Sequence, residues 1–350
     1  MNCKHPLVRY DFPNEDYTVL SYKKIKKEGI DLTHIHNKKG QIPIKETQIP
    51  CTHCIACRLN YSAIWANRIL LELKNIPENQ KWFLTLTYSP EKLHITQGVD
   101  PETGEIYESN TLVLKDVQDF NKRLREACAE NITHHTCEIN DKTYDIGLRY
   151  YYCGEYGSHT DRSHYHMIIW NIRLEELGLE FYKYNAQHQP LFKCKKLDKI
   201  WQNGFVTIGG VTWESIAYTA RYMLKKQKGK GAEIYYKLKG QRPEFCHMST
   251  RPGIGREYYE SHKDEIYKYD EITIMKKRGA FKIKPFKYYD RLYDEEYPEE
   301  MEQIKEHRQE VGKEARKVKL SKTTLDELQL LEVEERTLEN KVKKLKRTIE

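Results

Sequence analysis

From Trp82 to Lys226 the chain sets out strand-like and helix-like segments in an order that few folds can accommodate. Trp82-Phe-Leu-Thr-Leu-Thr-Tyr88 is rich in aromatic residues and Thr, which suits a strand, and Pro90 stops it. Residues 114–129 carry Val117, Phe120, Leu124 and Ala127 at helical spacing. Residues 147–153 and 164–170 read as two strands flanking a Gly-containing connection. Residues 205–208 read as a short strand closed by Gly209-Gly210, and residues 213–226 as a helix. Strand, helix, strand, strand, strand, helix predicts an α+β domain, an antiparallel sheet packed by helices on one face.

The flanks are less regular. Residues 1 to about 50 read as irregular. Residues 58–74 fit a helix through Leu59, Ile64, Ile69, Leu70 and Leu73, ended by Pro77. A polar excursion after Pro90 turns at Pro101 and Gly104. Lys225-Lys-Gln-Lys-Gly-Lys-Gly231 is a break that suits either phosphate contact or a solvated linker. Residues 232–297 are a mixed stretch rich in Tyr and Lys. Leu328, Leu331, Glu335, Leu338, Val342, Leu345 and Ile349 then step by three and four, a short heptad seam with one polar interruption. A single solvated helix, a dimer and a partner-binding coil all suit it. The expected division is an N-terminal region with the Cys cluster (1–75), a core (76–230), its extension (231–297) and a charged C-terminal helix (298–350).

Composition limits the function only loosely. The 59 Lys and Arg against 52 Asp and Glu, net +7 over 350 residues, permit a nucleic-acid partner without demanding one. The 26 Tyr, against 9 Phe and 5 Trp, suit a surface on which single-strand bases stack, though most fit half-buried packing equally well. No apolar run approaches a membrane span, and Met1-Asn-Cys-Lys-His5 opens no signal peptide. Nine Cys without a secretion signal point to a reducing, cytoplasmic setting and to metal or free thiols. No G-x-x-x-x-G-K-[ST] loop occurs, so no built-in P-loop motor is expected.

The chemistry lies in three places. On a strand, side chains alternate faces, so His164, His166, Ile168 and Trp170 share one face and Tyr165, Met167 and Ile169 the other. Two His so spaced can reach one divalent ion, although alone such pairs are mostly ordinary sheet residues. Glu155, in Cys153-Gly-Glu-Tyr-Gly157, comes near them if residues 150–155 form the neighbouring strand. It would then complete a set that leaves positions open for water and a phosphate oxygen on Mg2+ or Mn2+; otherwise it is a surface carboxylate beside a turn. On the 213–226 helix, Tyr218, Tyr222 and Lys225 lie at i, i+4 and i+7, one stripe, while Ile216, Ala220 and Met223 lie nearly opposite and can bury against the sheet. A free Tyr has a pKa near 10, and a nearby metal or cation favours its phenolate. Two tyrosines beside a metal pocket are the parts of a phosphodiester transferase, in which a phosphotyrosine link keeps the energy of the broken bond.

At these residues the chain resembles the HUH endonuclease superfamily. Phe83-Leu-Thr-Leu-Thr-Tyr88 looks like its first motif, His164-Tyr-His166 its second and Tyr218-x-x-x-Tyr222-x-x-Lys225 its third. It is similar in particular to replication initiators of small single-stranded DNA phages, microviruses of the gokushovirus type. That likeness includes Pro50-Cys-Thr-His-Cys-Ile-Ala-Cys-Arg58, Cys153-Gly-Glu-Tyr-Gly157, Glu214-Ser-Ile-Ala-Tyr218 and Arg251-Pro-Gly-Ile-Gly255. The resemblance implies a ferredoxin-like antiparallel sheet core with helices, and Mg2+ or Mn2+ on Glu155, His164 and His166. It implies nicking at the viral origin of the double-stranded replicative form, with Tyr218 and Tyr222 as nucleophiles and Lys225 as an assisting cation. The products are a 5′-phosphotyrosine and a 3′-hydroxyl that a host polymerase extends; unwinding needs a host helicase, in the bacterial cytoplasm. A relaxase or transposase of the same superfamily, a hydrolase using activated water, and a DNA-binding or packaging protein without nicking activity are the competing expectations.

Cys51, Cys54 and Cys57 have the spacing of a zinc knuckle, and a tetrahedral site needs a fourth ligand. Cys3 is the candidate, His53 being too close to its neighbours. The run also suits an iron–sulfur pattern or three reduced thiols; structural zinc, pinning the N-terminus, is preferred because no redox chemistry is needed.

Overall fold

A computed structural model of the chain describes residues 3–100, 102–157, 160–221, 230–275 and 279–343. Packing divides them into two compact units: residues 3–61 with 290–343, and residues 62–289.

The stretch expected to be irregular is a small sheet. β1 (Leu7–Asp11), β2 (Tyr17–Ser21), α1 (Tyr22–Glu28) and β3 (Lys45–Ile49) precede α2 (Ile55–Glu72). The three strands pair antiparallel in the order β2-β1-β3. Val8, Tyr10 and Phe12 alternate inward and bury against Ile35. These strands are five residues each, and β2 is buried only in part on its inner face, so the apolar pattern is too faint to read unaided.

The large unit contains β4 (Lys81–Tyr88), β5 (Ile95–Val99), β6 (Ile106–Asn110), α3 (Leu114–Ala127), β7 (His135–Ile139), β8 (Lys142–Ile146), β9 (Arg149–Tyr156) and β10 (Ser163–Trp170). It continues with β11 (Glu180–Tyr184), β12 (Pro190–Lys193), α4 (Lys195–Trp201), β13 (Gly204–Gly210), α5 (Trp213–Arg221), α6 (Lys230–Lys239), β14 (Phe245–Met248), α7 (Arg256–Tyr269), β15 (Ile272–Met275) and β16 (Ala280–Ile283), and α8 (Lys287–Glu296) begins in it. Seven strands form one antiparallel sheet, ordered β11-β12-β13-β4-β10-β9-β14. Gly209 and Gly210 lie inside β13 and do not close it. The polar excursion is the β5–β6 hairpin. At the centre, β4, α3, β9, β10, α4 and β13 follow one another as strand, helix, strand, strand, helix, strand, and the four strands lie side by side as fourth, first, third, second.

Helices cover both faces of this sheet, not the single face expected. On one, Val117, Phe120 and Leu124 of α3 and Leu197, Ile200 and Trp201 of α4 pack on Leu84, Leu86, Tyr165, Met167 and Ile169. On the other, Ala66 and Ile69 of α2 and Ile216 and Ala220 of α5 pack on Phe83, Ile168 and Trp170. Each such buried side chain contributes about 1.5–3 kcal/mol relative to exposure. The β10 alternation is as its sequence predicts, with Ile168 and Trp170 on one face and Tyr165, Met167 and Ile169 on the other.

A polar latch closes the end of the large unit at Arg149, the first residue of β9. Buried Arg149 and Glu72 of α2 form an ion pair at 2.7 Å. Arg149 also donates to the Pro252 carbonyl at 3.0 Å, Gly255 N–H donates to Glu72 at 2.6 Å, and Arg68 donates twice to the Ile254 carbonyl. Gly255 has φ +80°, and a Cβ there would meet Tyr289 Oη at 2.7 Å, so Arg251-Pro-Gly-Ile-Gly255 needs its second glycine.

The chain ends with α9 (Pro298–Leu320) and α10 (Glu327–Lys343), which belong to the small unit. Leu328, Leu331, Glu335, Leu338 and Val342 form the half-buried stripe of α10. Leu338 packs on the cysteine cluster, and Glu334 and Glu332 pair with Lys4 at 2.7 Å and Lys23 at 2.9 Å. The described part of the heptad seam thus faces its own chain. Leu345 and Ile349 lie outside the described residues.

Candidate functional site

Strand register assembles the histidines and the carboxylate. Glu155 on β9 is the cross-strand partner of His164 on β10, and His166 lies two residues on. Thr87 and Thr85 of β4 are the partners of His164 and His166 on the other side. The glycine before Glu155 has a packing reason: a Cβ on Gly154 would lie 3.0 Å from Leu112 and 3.1 Å from Tyr165.

Glu155 and His166 are 2% and 0% exposed. Glu155 Oε1 lies 2.7 Å from His164 Nε2 and 3.2 Å from His166 Nε2. The far ring nitrogens are anchored: His164 Nδ1 donates to the Arg162 carbonyl at 3.0 Å, and His166 Nδ1 is 3.1 Å from Thr85 Oγ1. A carbonyl only accepts, so His164 keeps a proton on Nδ1, and a neutral ring turns its Nε2 lone pair toward Glu155. Lone pair and carboxylate then both need a proton or a cation between them. Burial works against the Glu155 charge, but hydrogen bonds from His164 and His166, and their charge, outweigh it and bring the carboxyl down to about 2. Phe83 stacks on His166, centroids 5.5 Å apart, and fixes the ring plane. The three donor atoms lie within 4.8 Å of one another. Two imidazole nitrogens and one carboxylate fit a divalent cation with positions left open.

α5 carries Tyr218 to this group. A reciprocal cap starts the helix, with Thr212 N–H donating to Ser215 Oγ at 2.9 Å and Ser215 N–H to Thr212 Oγ1 at 3.2 Å. The Tyr218 ring stands edge-on to His166, centroids 5.2 Å apart at 78°. Tyr218 is only 7% exposed, and residues 215–220 are all buried. The expected opposition of a cleft-facing Tyr stripe and a buried apolar stripe is therefore replaced by a helix enclosed on all sides there. Tyr222, Met223 and Lys225 lie outside the described residues, as does the Lys-rich break up to Gly229. Thr85 and Phe83 went unassigned in the sequence reading, although β4 alternation aligns both with Thr87.

A family profile described as replication-associated protein of the ORF2 type matches residues 81–227. That span opens at β4 and takes in Glu155, His164, His166 and Tyr218. Replication-associated protein ORF2 of Spiroplasma virus 4 is 32% identical over 336 residues, 92% of this chain and 95% of that one. This chain belongs to the microvirus replication-associated protein family. Replication-associated protein VP4 of Bdellovibrio phage phiMH2K is 26% identical over 304 residues, 85% of this chain and 79% of its own. Replication-associated protein ORF4 of Chlamydia phage 1 is 27% identical over 238 residues, 67% of this chain and 51% of its own. No solved structure matches the chain.

A second donor set of this replication-associated protein lies in the small unit. The sulfur atoms of Cys3, Cys51, Cys54 and Cys57 lie within 4.8 Å of one another, with Cys3 and Cys54 3.9 Å apart. Backbone N–H groups already point at thiols: Cys51 N–H donates to Cys3 Sγ and Cys54 N–H to Cys51 Sγ, both at 3.3 Å. Between them Thr52 has φ +68°, a left-handed conformation that costs a β-branched residue about 1–2 kcal/mol and marks a turn fixed by its surroundings. Burial pushes the Cys3 thiol up to about 11. Burial acts on Cys54 in the same sense, but backbone N–H groups and neighbouring thiols bring it down to about 7. Four thiols at this spacing fit one tetrahedral metal ion, and Cys3 joins them from far along the chain, 48 positions before Cys51. Among the described residues no helix is long and apolar enough to cross a membrane.

Proposed function

We propose that this protein initiates rolling-circle replication as an HUH-type endonuclease, nicking single-stranded DNA at the viral origin and joining itself to the cut strand. The observation that carries this reading is the convergence of His164, His166 and Glu155 beside the buried ring of Tyr218. The central strand order supports it, because fourth-first-third-second with two helices is the ferredoxin-like plan of the HUH fold.

Glu155, His164 and His166 hold the ion, and Thr85 and the Arg162 carbonyl orient the two rings from behind. Mg2+ or Mn2+, when bound, supplies polarisation of a phosphoryl oxygen and orients the scissile phosphate. Tyr218 attacks phosphorus: the phenolic O–P bond forms, the P–O3′ bond breaks, the phenol gives up its proton and the departing 3′-oxygen gains one. The result is a 5′-phosphotyrosine and a free 3′-hydroxyl for a host polymerase, with a host helicase unwinding the replicative form. Tyr222 takes the second, terminating cut, and Lys225 offsets charge on the phosphate. Zinc occupies the four-cysteine site as a structural clasp.

The test incubates the protein with labelled single-stranded origin DNA and Mn2+, followed by denaturing electrophoresis. Wild type, Tyr218→Phe, Tyr222→Phe, the double mutant and an EDTA control are compared. A metal-dependent protein–DNA band that the double mutant lacks is expected. Cleavage without that band points to the water-activating hydrolase, and binding without cleavage to the DNA-binding or packaging protein. Metal analysis is expected to find zinc that Cys3→Ser loses.

A further inference from the structure

The sheet face that carries His164 and His166 is covered unevenly. α2 and α5 enclose Phe83, Ile168 and Trp170. Toward the β11 edge the same face opens to solvent. Phe205 of β13 is the partner of Thr87, itself the partner of His164. It therefore stands two strands from the metal ligands, about 10 Å away at ~4.8 Å per strand. Partners share a face, and the alternate residues Val206 and Ile208 bury in the opposite core, so Phe205 faces the same side as His164. It is 53% exposed.

The strip continues outward. Leu191 of β12 pairs with Gly209 and with Lys183 of β11, which carries this face across both strands. Tyr182 occupies the bulge between Phe181 and Lys183, 44% exposed. Lys193 Nζ lies 3.8 Å from its ring centroid and Lys183 Nζ 5.4 Å. Two rings and two ammonium groups thus line one uncovered face that leads to the ligand set. A fold gains nothing by holding Phe205 in water: burying such a side chain would contribute about 1.5–3 kcal/mol.

We propose that this strip is a track for the unpaired DNA next to the scissile phosphate, with bases stacking on Phe205 and Tyr182 and phosphates held by Lys183 and Lys193. The occupant is single-stranded because paired bases keep their faces inside the duplex stack, whereas splayed bases can lie on a protein ring. The inference rests on the nuclease reading for what happens at the strip's inner end, but its test does not use cleavage.

The test measures fluorescence anisotropy of a labelled oligothymidylate with full-length protein in EDTA. Phe205→Ala and Tyr182→Ala are each expected to weaken binding about tenfold, within the range of one base–aromatic stack, and Phe205→Trp to restore it. Lys183→Ala with Lys193→Ala should lower the salt slope by about 1.4, at ~0.7 per phosphate contact. Phe181 pairs with Phe192, on the opposite face, and Tyr184 lies one residue beyond Lys183, also facing away; both are exposed and serve as controls. Phe181→Ala and Tyr184→Ala should bind like wild type. Equal losses at all four aromatic positions, or none at Phe205 and Tyr182, overturn the track. Face-specific loss in a protein that never nicks DNA would leave the track standing and remove the nuclease reading; normal nicking with unchanged binding would do the reverse.

Discussion

β9 carries a buried charged cluster at each end, and the two are built differently. At Arg149 the guanidinium meets a carboxylate, the Glu72 oxygens meet Arg149 and an amide, and carbonyls take the remaining donors. Donors and acceptors alternate, so the cluster is complete as protein. At Glu155 a carboxylate meets two imidazoles whose far nitrogens are engaged by Arg162 and Thr85. There acceptors converge, and a cation completes the set. The first arrangement joins chain segments; the second holds something the chain does not contain. Burial alone distinguishes neither, because both are nearly closed to solvent.

The comparison breaks first on stability. Arg149→Leu leaves Glu72 buried without its partner and should cost about 3–5 kcal/mol, read as a lower denaturation midpoint at unchanged slope. Glu72→Leu with Arg149→Leu should cost less than the two single changes added together. A loss below about 1 kcal/mol for Arg149→Leu would mean that the latch is no more than a surface-type pair.

At the other end the effect should move to activity. Glu155→Gln keeps size and removes charge. Metal-dependent cleavage is expected to fall by at least about 100-fold, since even partners behind a metal ligand are worth 10–100-fold. The folded state should tolerate the change, because removing one acceptor from a group of acceptors relieves the cluster when no cation is bound. A large stability loss with cleavage intact would reverse the assignment of the two ends. Thr85→Val sharpens the point: it removes the hydroxyl behind His166 Nδ1 without touching the ligands. Mn2+ affinity should drop about tenfold while maximal cleavage at saturating Mn2+ stays within about twofold.

Much of this was open to sequence reasoning where the pattern was long and local. β9 and β10 are eight residues each, so alternation alone put His164 and His166 on one face, and a short hairpin put Glu155 across from His164. Cys3 was reachable by ligand counting. What stayed hidden depends on contacts distant in sequence. β11 is exposed along its whole length and carries no burial pattern to read. α4 is seven residues long, too short for periodicity, yet buries Trp201 completely. The second helical layer on the sheet was missed because α2 lies before the core in sequence and reaches its face only in three dimensions. The α10 stripe was readable as a seam, but its partner, the small unit's own cysteine cluster, lies at the other end of the chain.

The smallest expected effect concerns how α5 delivers Tyr218. Thr212 and Ser215 exchange hydrogen bonds across the first turn, and Ser215 Oγ also donates to the Thr212 carbonyl at 2.9 Å. Thr212→Ala removes the acceptor for Ser215 N–H and should cost about 1 kcal/mol, measured by thermal or chemical unfolding, with Thr212→Ser close to wild type. Tyr218 lies in the second turn after this cap, so fraying of the first turn loosens the ring that stands over His166. If that ring is positioned by the helix, Thr212→Ala should slow formation of the covalent product at a temperature where the protein remains folded, and Thr212→Ser should not. If only stability falls and the folded fraction cleaves at the wild-type rate, packing of Tyr218 against His166 and the sheet suffices to hold it, and the cap belongs with the Arg149 latch as a device of folding alone.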